Sequence, residues 1–238
     1  MSEQSKELSW IDYLKSVDTP TLANAVELLR VRSHREGFTP LQVRDIFPEF
    51  GRMCGYAVTA QVETITESDA MHNTCFVELC RAVEGSKKPA IVAFQEIGGY
   101  GDSAAHCGEV MATVFKRLGA AGLVTDCAVR DIPEVRALGF HYFARGTVAS
   151  HGSFRIVRVG VPIQICGVVV RPGDVLHGDE NGLLLLPPGV EKELPRAVDA
   201  IRTGERRLMQ WVESDSFTLD HLRDYLVDYG GNDSSAAK

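Results

Sequence analysis

Residues 124–131 read VTDCAVRD, two strand-forming residues running into a cysteine, an arginine and two carboxylates. Arg130 cannot lose its proton, so it would aim a permanent positive charge at an oxygen where negative charge develops. If Asp131 ligates a hard divalent cation through oxygen, with Glu109 holding waters bound to that cation, the two make the sparse carboxylate shell typical of Mg2+. Gly108 stands before a helical run and lets a substrate approach the main chain. The free first-turn amides of Glu109, Val110 and Met111 then form an anion site suited to a carboxylate. A 2-oxo acid held by the cation and Arg130 would be primed to break its C3–C4 bond, because both stabilise the resulting pyruvate enolate. Each group also has a plain structural role. Adjacent charges such as Arg130 and Asp131 commonly face water in polar loops, and Glu109 suits a first turn through the helix dipole alone.

A second chemistry is written in the loop that precedes this helix. Gly99, Gly101 and Ala104 fit G-x-G-x-x-A after a strand, and Asp126 ends the next strand at the distance of a ribose-binding acid. That pattern would make the chain a dinucleotide-dependent oxidoreductase or an S-adenosylmethionine methyltransferase. Against it, the helix is expected to open at Gly108 rather than at the second glycine. Six cysteines without a C-x-x-C pair are read as reduced thiols, and seven histidines without H-x-x-x-H spacing support no preformed zinc site. Cys127, with no histidine near it in sequence, is read as a small buried thiol rather than a nucleophile.

The elements that must position these residues follow from periodicity. Residues 8–17 (LSWIDYLKSV) read as helix, and Thr19 is the expected N-cap of the next, with Pro20 at its first position. YAVTAQVET alternates as a strand, and the following segment has helical spacing at Met71, Cys75, Phe76, Leu79 and Val83. AIVAFQ at 90–95 and GLVTD at 122–126 are apolar strands joined by the helix that Gly108 opens and Gly119 closes. This order implies a parallel pair in an α/β layer, with the polar clusters beyond strand C-terminal ends, where open sheets place ligands. From residue 141 the runs HYFARG, FRIVRV, VPIQICGVVV and LLLLP imply a second β layer, and helices resume after Pro187 and Pro188.

The bulk composition excludes several classes. With 45% hydrophobic and 24% charged residues in 238, the chain reads as one ordinary globular domain with helical ends. A net charge of -7 without any run of Lys or Arg argues against nucleic acid as a partner. No apolar run approaches the roughly 18 residues of a membrane span, and the polar start MSEQSKELSW has no apolar leader core, so a cytoplasmic protein is expected.

The run GEVMATVFKRLGAAGLVTDCAVRDIPEVRALGFHYFARG, residues 108–146, resembles the RraA-like family, as does VPIQICGVVVRPGDVLHGDENGLLLLP after it. The resemblance spans about residues 50–190, leaving helical extensions over 1–49 and 190–230. It implies an α/β fold, a ββα sandwich of the swivelling-domain type, assembled as trimers or paired trimers with sites between chains. It also implies one of two roles. The first is a 4-hydroxy-4-methyl-2-oxoglutarate aldolase that also decarboxylates oxaloacetate and depends on Mg2+, Mn2+ or another divalent cation; the second is a regulator that binds ribonuclease E. Under the first, Asp131 is the direct metal ligand and Glu109 its water-mediated partner. Arg130 binds the pyruvyl oxygen, and Gly108 with the Val110 and Met111 amides receives the carboxylate. Glu213 or Glu205 would complete a neighbouring chain's site. Two residues depart from the family pattern: Cys127 replaces a glycine, as a turn of positive φ would need, and His141 replaces a proline.

Overall fold

The computed structural model describes residues 9–64, 74–99 and 101–224 of the chain. Ser9 caps α1 (Trp10–Lys15) by accepting from the Asp12 amide. Asp18 caps α2 (Thr19–Leu28) by accepting from the Thr21 amide, with Pro20 in the first turn, where its missing N–H has no intrahelical acceptor to lose. The cap thus falls one residue before Thr19, because the carboxylate outcompetes the hydroxyl. Thr19 Oγ1 instead bonds His177 Nδ1 at 2.9 Å. The turn-rich stretch that follows contains the two-residue strand β1 (Arg44–Asp45) and leads into β2 (Met53–Glu63).

In α3 (Thr74–Gly85) the positions Phe76, Leu79 and Val83 are buried, as their spacing implies, while Met71 lies outside the described residues. The expected strand–helix–strand unit is β3 (Ala90–Glu96), α4 (Glu109–Arg117) and β4 (Ala120–Thr125). β3 pairs in parallel with both β2 and β4. The short β5 (Ala128–Val129) precedes α5 (Ile132–Leu138), which Gly139 closes at φ 63, a left-handed conformation that favours glycine. Beyond it β6 (His141–Ala144) runs parallel to β4, and β7 (Gly146–Thr147) pairs with β5.

The last third supplies the expected second β layer, most of it continuous with the first sheet. The strands β8 (Arg155–Val159), β11 (Val175–Asp179) and β12 (Gly182–Leu186) join the same sheet, and only the hairpin of β9 (Ile163–Ile165) and β10 (Val168–Val170) stands apart from it. The length of β2 is the reason. One of its edges takes β3, and the other is shared, with β11 along Met53 to Tyr56 and β8 along Ala60 to Glu63. The path across the sheet is β1-β6-β4-β3-β2-β11-β12.

Alternation along the strands sorts the core. Val92 and Phe94 face the helices with Leu79, Val83 and Phe115, whereas Ile91 and Ala93 face the hairpin with Ile163, Ile165 and Val170. A third cluster packs Leu14, Leu22 and Val26 of the N-terminal helices and Val198 of α6 (Leu194–Val212) over Leu184 and Leu186. The result is a ββα sandwich with helices at both ends. Among the described residues no helix is long and apolar enough to cross a membrane.

Candidate active site

Two stretches far apart in sequence meet through main-chain bonds. The His106 amide donates to the Ala128 carbonyl at 2.9 Å and the Arg130 amide to the Cys107 carbonyl at 3.0 Å, so residues 106–108 run beside 128–130. Gly108 and Arg130–Asp131 are therefore neighbours. A Cβ on Gly108 would lie 2.3 Å from Asp131 Oδ2 and 3.1 Å from Arg130 Nε, so any side chain there would displace the carboxylate and the guanidinium. The requirement is space rather than backbone angle, since Gly108 is extended at φ -133.

Asp131 itself carries the unusual backbone, left-handed at φ 58, which aspartate tolerates better than most residues. Its carbonyl starts α5 by accepting from Val135, but its side chain turns away from that helix. Oδ2 instead accepts from the Glu109 amide at 2.9 Å, across a separation of 22 residues, and lies 3.6 Å from Arg130 Nε. One of the three first-turn amides is thus taken by Asp131. Those of Val110 and Met111 have no acceptor within their own helix. Arg130 and Asp131 are each about one-third exposed, at 36% and 35%, enough for a ligand to reach both. The Glu109 side chain is exposed beside them. Gly108, Glu109, Val110, Met111, Arg130 and Asp131 are therefore brought to one corner. Glu205 and Glu213 are exposed on α6 and at its C-cap, Glu205 lying 3.5 Å from Asn24.

Behind this corner the structure places groups that periodicity did not flag. Tyr142 is fully buried with its phenol oxygen unpartnered among the described residues, and burial pushes its pKa up. Burial likewise pushes the Cys107 thiol up to about 12. His141 packs edge-on against Phe50 at 5.4 Å, and burial pushes its ring down to about 4, a packing role on a strand.

The glycine loop does not build a dinucleotide site. No helix opens at Gly101, and α4 begins only at Glu109. Asp126 Oδ1 accepts from the Glu96 amide at 2.8 Å, tying the ends of β3 and β4 together, and burial pushes this carboxyl up to about 6. Cys127 is absent from the residues of positive φ, so its backbone needs no glycine. Its thiol is buried, lies 2.7 Å from the Gly101 carbonyl and is pushed up to about 12 by burial, in keeping with the inert reading.

A group of metal-type side chains lies apart from the Asp131 and Glu109 expected to hold a cation. Glu96, His106 and Cys127 each bring one ligating atom within 4.8 Å of the others. Their spacing follows no zinc pattern because the approach depends on the loop after β3 folding back over the sheet. His106 Nε2 lies 2.9 Å from Glu96 Oε2, and Nδ1 lies 2.8 Å from Thr125 Oγ1. Burial alone would raise Glu96. Hydrogen bonds from His106, Gly98 and Thr64 outweigh it and hold the carboxyl below its ordinary range.

An α/β sandwich with a polar corner at a helix start defines the class, and sequence comparison gives the family. The chain belongs to the RraA-like family, described as Aldolase/RraA, whose pattern matches residues 19–185. A Thermus thermophilus protein named 4-hydroxy-4-methyl-2-oxoglutarate aldolase is 31% identical over 143 residues, 60% of this chain and 82% of that one. A Halalkalibacterium halodurans protein provisionally given the same name is 41% identical over 88 residues, covering 37% of this chain and less than half, 42%, of the relative. Among solved structures, Streptomyces coelicolor RraAS2, described as an unusual member of the RNase ES inhibitor RraA protein family, aligns with a TM-score of 0.67 at 24% identity. That alignment covers 84% of this chain and 97% of RraAS2. An uncharacterized Pseudomonas syringae protein aligns at 0.68 and 22%, covering 90% and 96%. At these identities the structural likeness speaks to the fold alone.

Proposed function

We propose that the chain is a divalent-metal-dependent carbon–carbon lyase that cleaves a small 2-oxo acid to pyruvate, by retro-aldol cleavage of a 4-hydroxy-2-oxo acid or by decarboxylation of oxaloacetate. The observation that carries this reading is the meeting of Asp131, Arg130 and the first turn of α4 at a glycine where a side chain would push the two charged groups aside. The aldolase names of relatives sharing 31% and 41% identity support it.

The corner suits a hard cation. Asp131 uses Oδ2 on the Glu109 amide, leaving Oδ1 for a ligand, and the exposed Glu109 carboxylate is an oxygen donor beside it. Mg2+ or Mn2+, when bound, would supply Lewis acidity toward the 2-oxo acid. The chain's own residues do the rest. The amides of Val110 and Met111 receive the substrate carboxylate, and Arg130 directs its fork at the 2-oxo oxygen. When the C3–C4 bond breaks, its electron pair moves into the enolate. The departing fragment leaves as a carbonyl compound whose hydroxyl proton passes to water, or as CO2 from the carboxylate. C3 of the enolate then takes a proton from water to give pyruvate; until then the negative charge on the enolate oxygen falls opposite the guanidinium.

By the resemblance the chain assembles as a homotrimer or homohexamer, and by its acidic charge and lack of long apolar runs it works in the cytoplasm as one domain and takes neither nucleic acid nor membrane as partner. The decisive assay is pyruvate release from oxaloacetate and from 4-hydroxy-4-methyl-2-oxoglutarate, with and without Mg2+. Metal-dependent release of pyruvate is expected. A folded protein inactive on both, yet inhibiting ribonuclease E, would replace the enzyme reading with that of a regulator.

A further inference from the structure

We propose that Glu96, His106 and Cys127 form a zinc site, separate from the Asp131 corner, that clasps the loop after β3 against the ends of β3 and β4. Glu96 and His106 are each held by one side-chain atom and present another, while Cys127 Sγ lies 2.7 Å from the Gly101 carbonyl and 3.0 Å from that of Ala104, contacts a metal would replace. Glu96 Oε1 accepts from the Gly98 amide at 2.6 Å and from the Thr64 amide and hydroxyl at 3.2 and 3.0 Å, which turns Oε2 toward His106. His106 is fixed through Nδ1 on Thr125 Oγ1 at 2.8 Å, which turns Nε2 toward Glu96. Thr125 Oγ1 also accepts from the Cys127 amide at 3.1 Å, fixing the backbone that carries Sγ. Outer hydrogen bonds that orient histidine and carboxylate ligands in this way are the usual support of metal sites.

The donor types select the metal. A thiol, an imidazole and a carboxylate together suit Zn2+ and do not suit Mg2+, which takes oxygen. Zinc lies about 2.0–2.3 Å from such donors. Ligating atoms already within 4.8 Å of one another therefore need only small shifts, with the His106–Glu96 pair at 2.9 Å opening slightly to admit the ion. Charge agrees as well. One thiolate and one carboxylate neutralise Zn2+, and a neutral site is what a fully buried His106 and Cys127 can accommodate. On binding, the Cys127 proton leaves to solvent as the thiolate forms. The imidazole then keeps a single hydrogen, on Nδ1 toward Thr125. A cleft of about 340 Å³ lined by Glu96, Gly101, Asp126, Arg145 and Cys166 brings solvent to the Glu96 edge of the cluster. Water from that cleft can fill the remaining coordination position.

The test uses the full-length protein with Zn2+ and Co2+ as probes. After stripping with chelator and reloading, we expect one Zn2+ per chain to survive desalting. The Co2+ form should show a thiolate-to-metal charge-transfer band that Zn2+ abolishes. Cys127→Ser should lose the band, and both it and His106→Gln should bind Zn2+ at least tenfold more weakly, whereas Asp131→Ala should keep the metal. The last arm separates this site from the proposed catalytic one, whose failure would appear in pyruvate release instead. The cobalt spectrum of the wild type needs no variant to fold. A folded wild type that shows no band and retains no zinc would overturn the proposal and leave the cluster a hydrogen-bonded ion pair. Zinc lost from Asp131→Ala but kept by Cys127→Ser would overturn it equally.

Discussion

The Glu109 amide donates to Asp131 Oδ2 at 2.9 Å, so the carboxylate that ends one strand crossing seals the start of the helix before it. Asp131 therefore has a structural duty beside its proposed catalytic one, and substitutions separate them. Asp131→Asn keeps an acceptor for the amide and tolerates the left-handed backbone, whereas Asp131→Ala loses both. Pyruvate release should vanish in each, while denaturant unfolding should find the alanine variant less stable by about 1–2 kcal/mol. Equal stability of the two would remove the capping role.

Gly108→Ala tests the packing of the corner. Its Cβ would fall 2.3 Å from Asp131 Oδ2, so carboxylate and guanidinium must move. A cost of about 1–3 kcal/mol is expected, the usual range for overpacking, together with loss of most activity. An alanine variant with wild-type rates would show that the corner is looser than its distances imply.

Arg130→Lys separates the guanidinium from its charge. If the planar fork both orients the 2-oxo acid and meets the enolate oxygen, kcat should fall by roughly 10²–10³ with the fold intact by circular dichroism. An ordinary exposed pair with Asp131 would contribute only about 0–1 kcal/mol, and its loss would leave the rate unchanged.

Chelator should abolish the lyase activity, and Mg2+ or Mn2+ should restore it in the wild type but not in Asp131→Ala. Turnover at full rate in excess chelator would remove the metal from the mechanism. Light scattering on the same preparations should report a trimer or hexamer, and a monomer at all working concentrations would refute that assembly.

Acid should destabilise the fold through His177. The ring is fully buried, with Nε2 3.1 Å from the Leu14 carbonyl and Nδ1 beside Thr19, and burial pushes it down to about 4. Its folded pKa lies below the ordinary 6.5, so the unfolded chain takes the proton first. Stability present above about 6.5 is lost as pH falls toward 4, by up to about 3 kcal/mol. His141, also pushed down to about 4 by burial, adds to the loss, whereas Asp45 and Asp126, both pushed up to about 6 by burial, act in the opposite direction below that pH, so only substitution isolates the part due to His177. Going from pH 7 to 4, the change in unfolding free energy should therefore be more favourable to the fold in His177→Gln than in the wild type, and identical changes would reject this role.

Much of the corner was legible because its parts have local signatures. Apolar runs marked β3 and β4, a glycine before a helical period marked the start of α4, and an arginine–aspartate pair after a strand marked the other side. What lay hidden depends on geometry that leaves no period. No glycine advertises the left-handed turn at Asp131, and its side chain serves a helix other than the one it precedes. Glu96, His106 and Cys127 sit on a strand end, a loop and a second strand end, so only the folded loop reveals them as neighbours. Likewise, the sharing of one edge of β2 between β8 and β11 is set by strand length and register, and each strand alone reads as part of another layer.

That shared edge bears on how the chain can reach its native state. While the protein is being synthesised, β2 and β3 can pair early, but the N-terminal half of β2 stays without its outer neighbour until β11 has left the ribosome. Contacts between residues so distant in sequence form slowly, and an unpaired strand edge is a template for joining another chain. A nascent chain therefore carries an apolar strand with one open side for about half of its synthesis. Arrival of the β11–β12 pair, with α2 and α6 packing over it, is the event that ends this exposure.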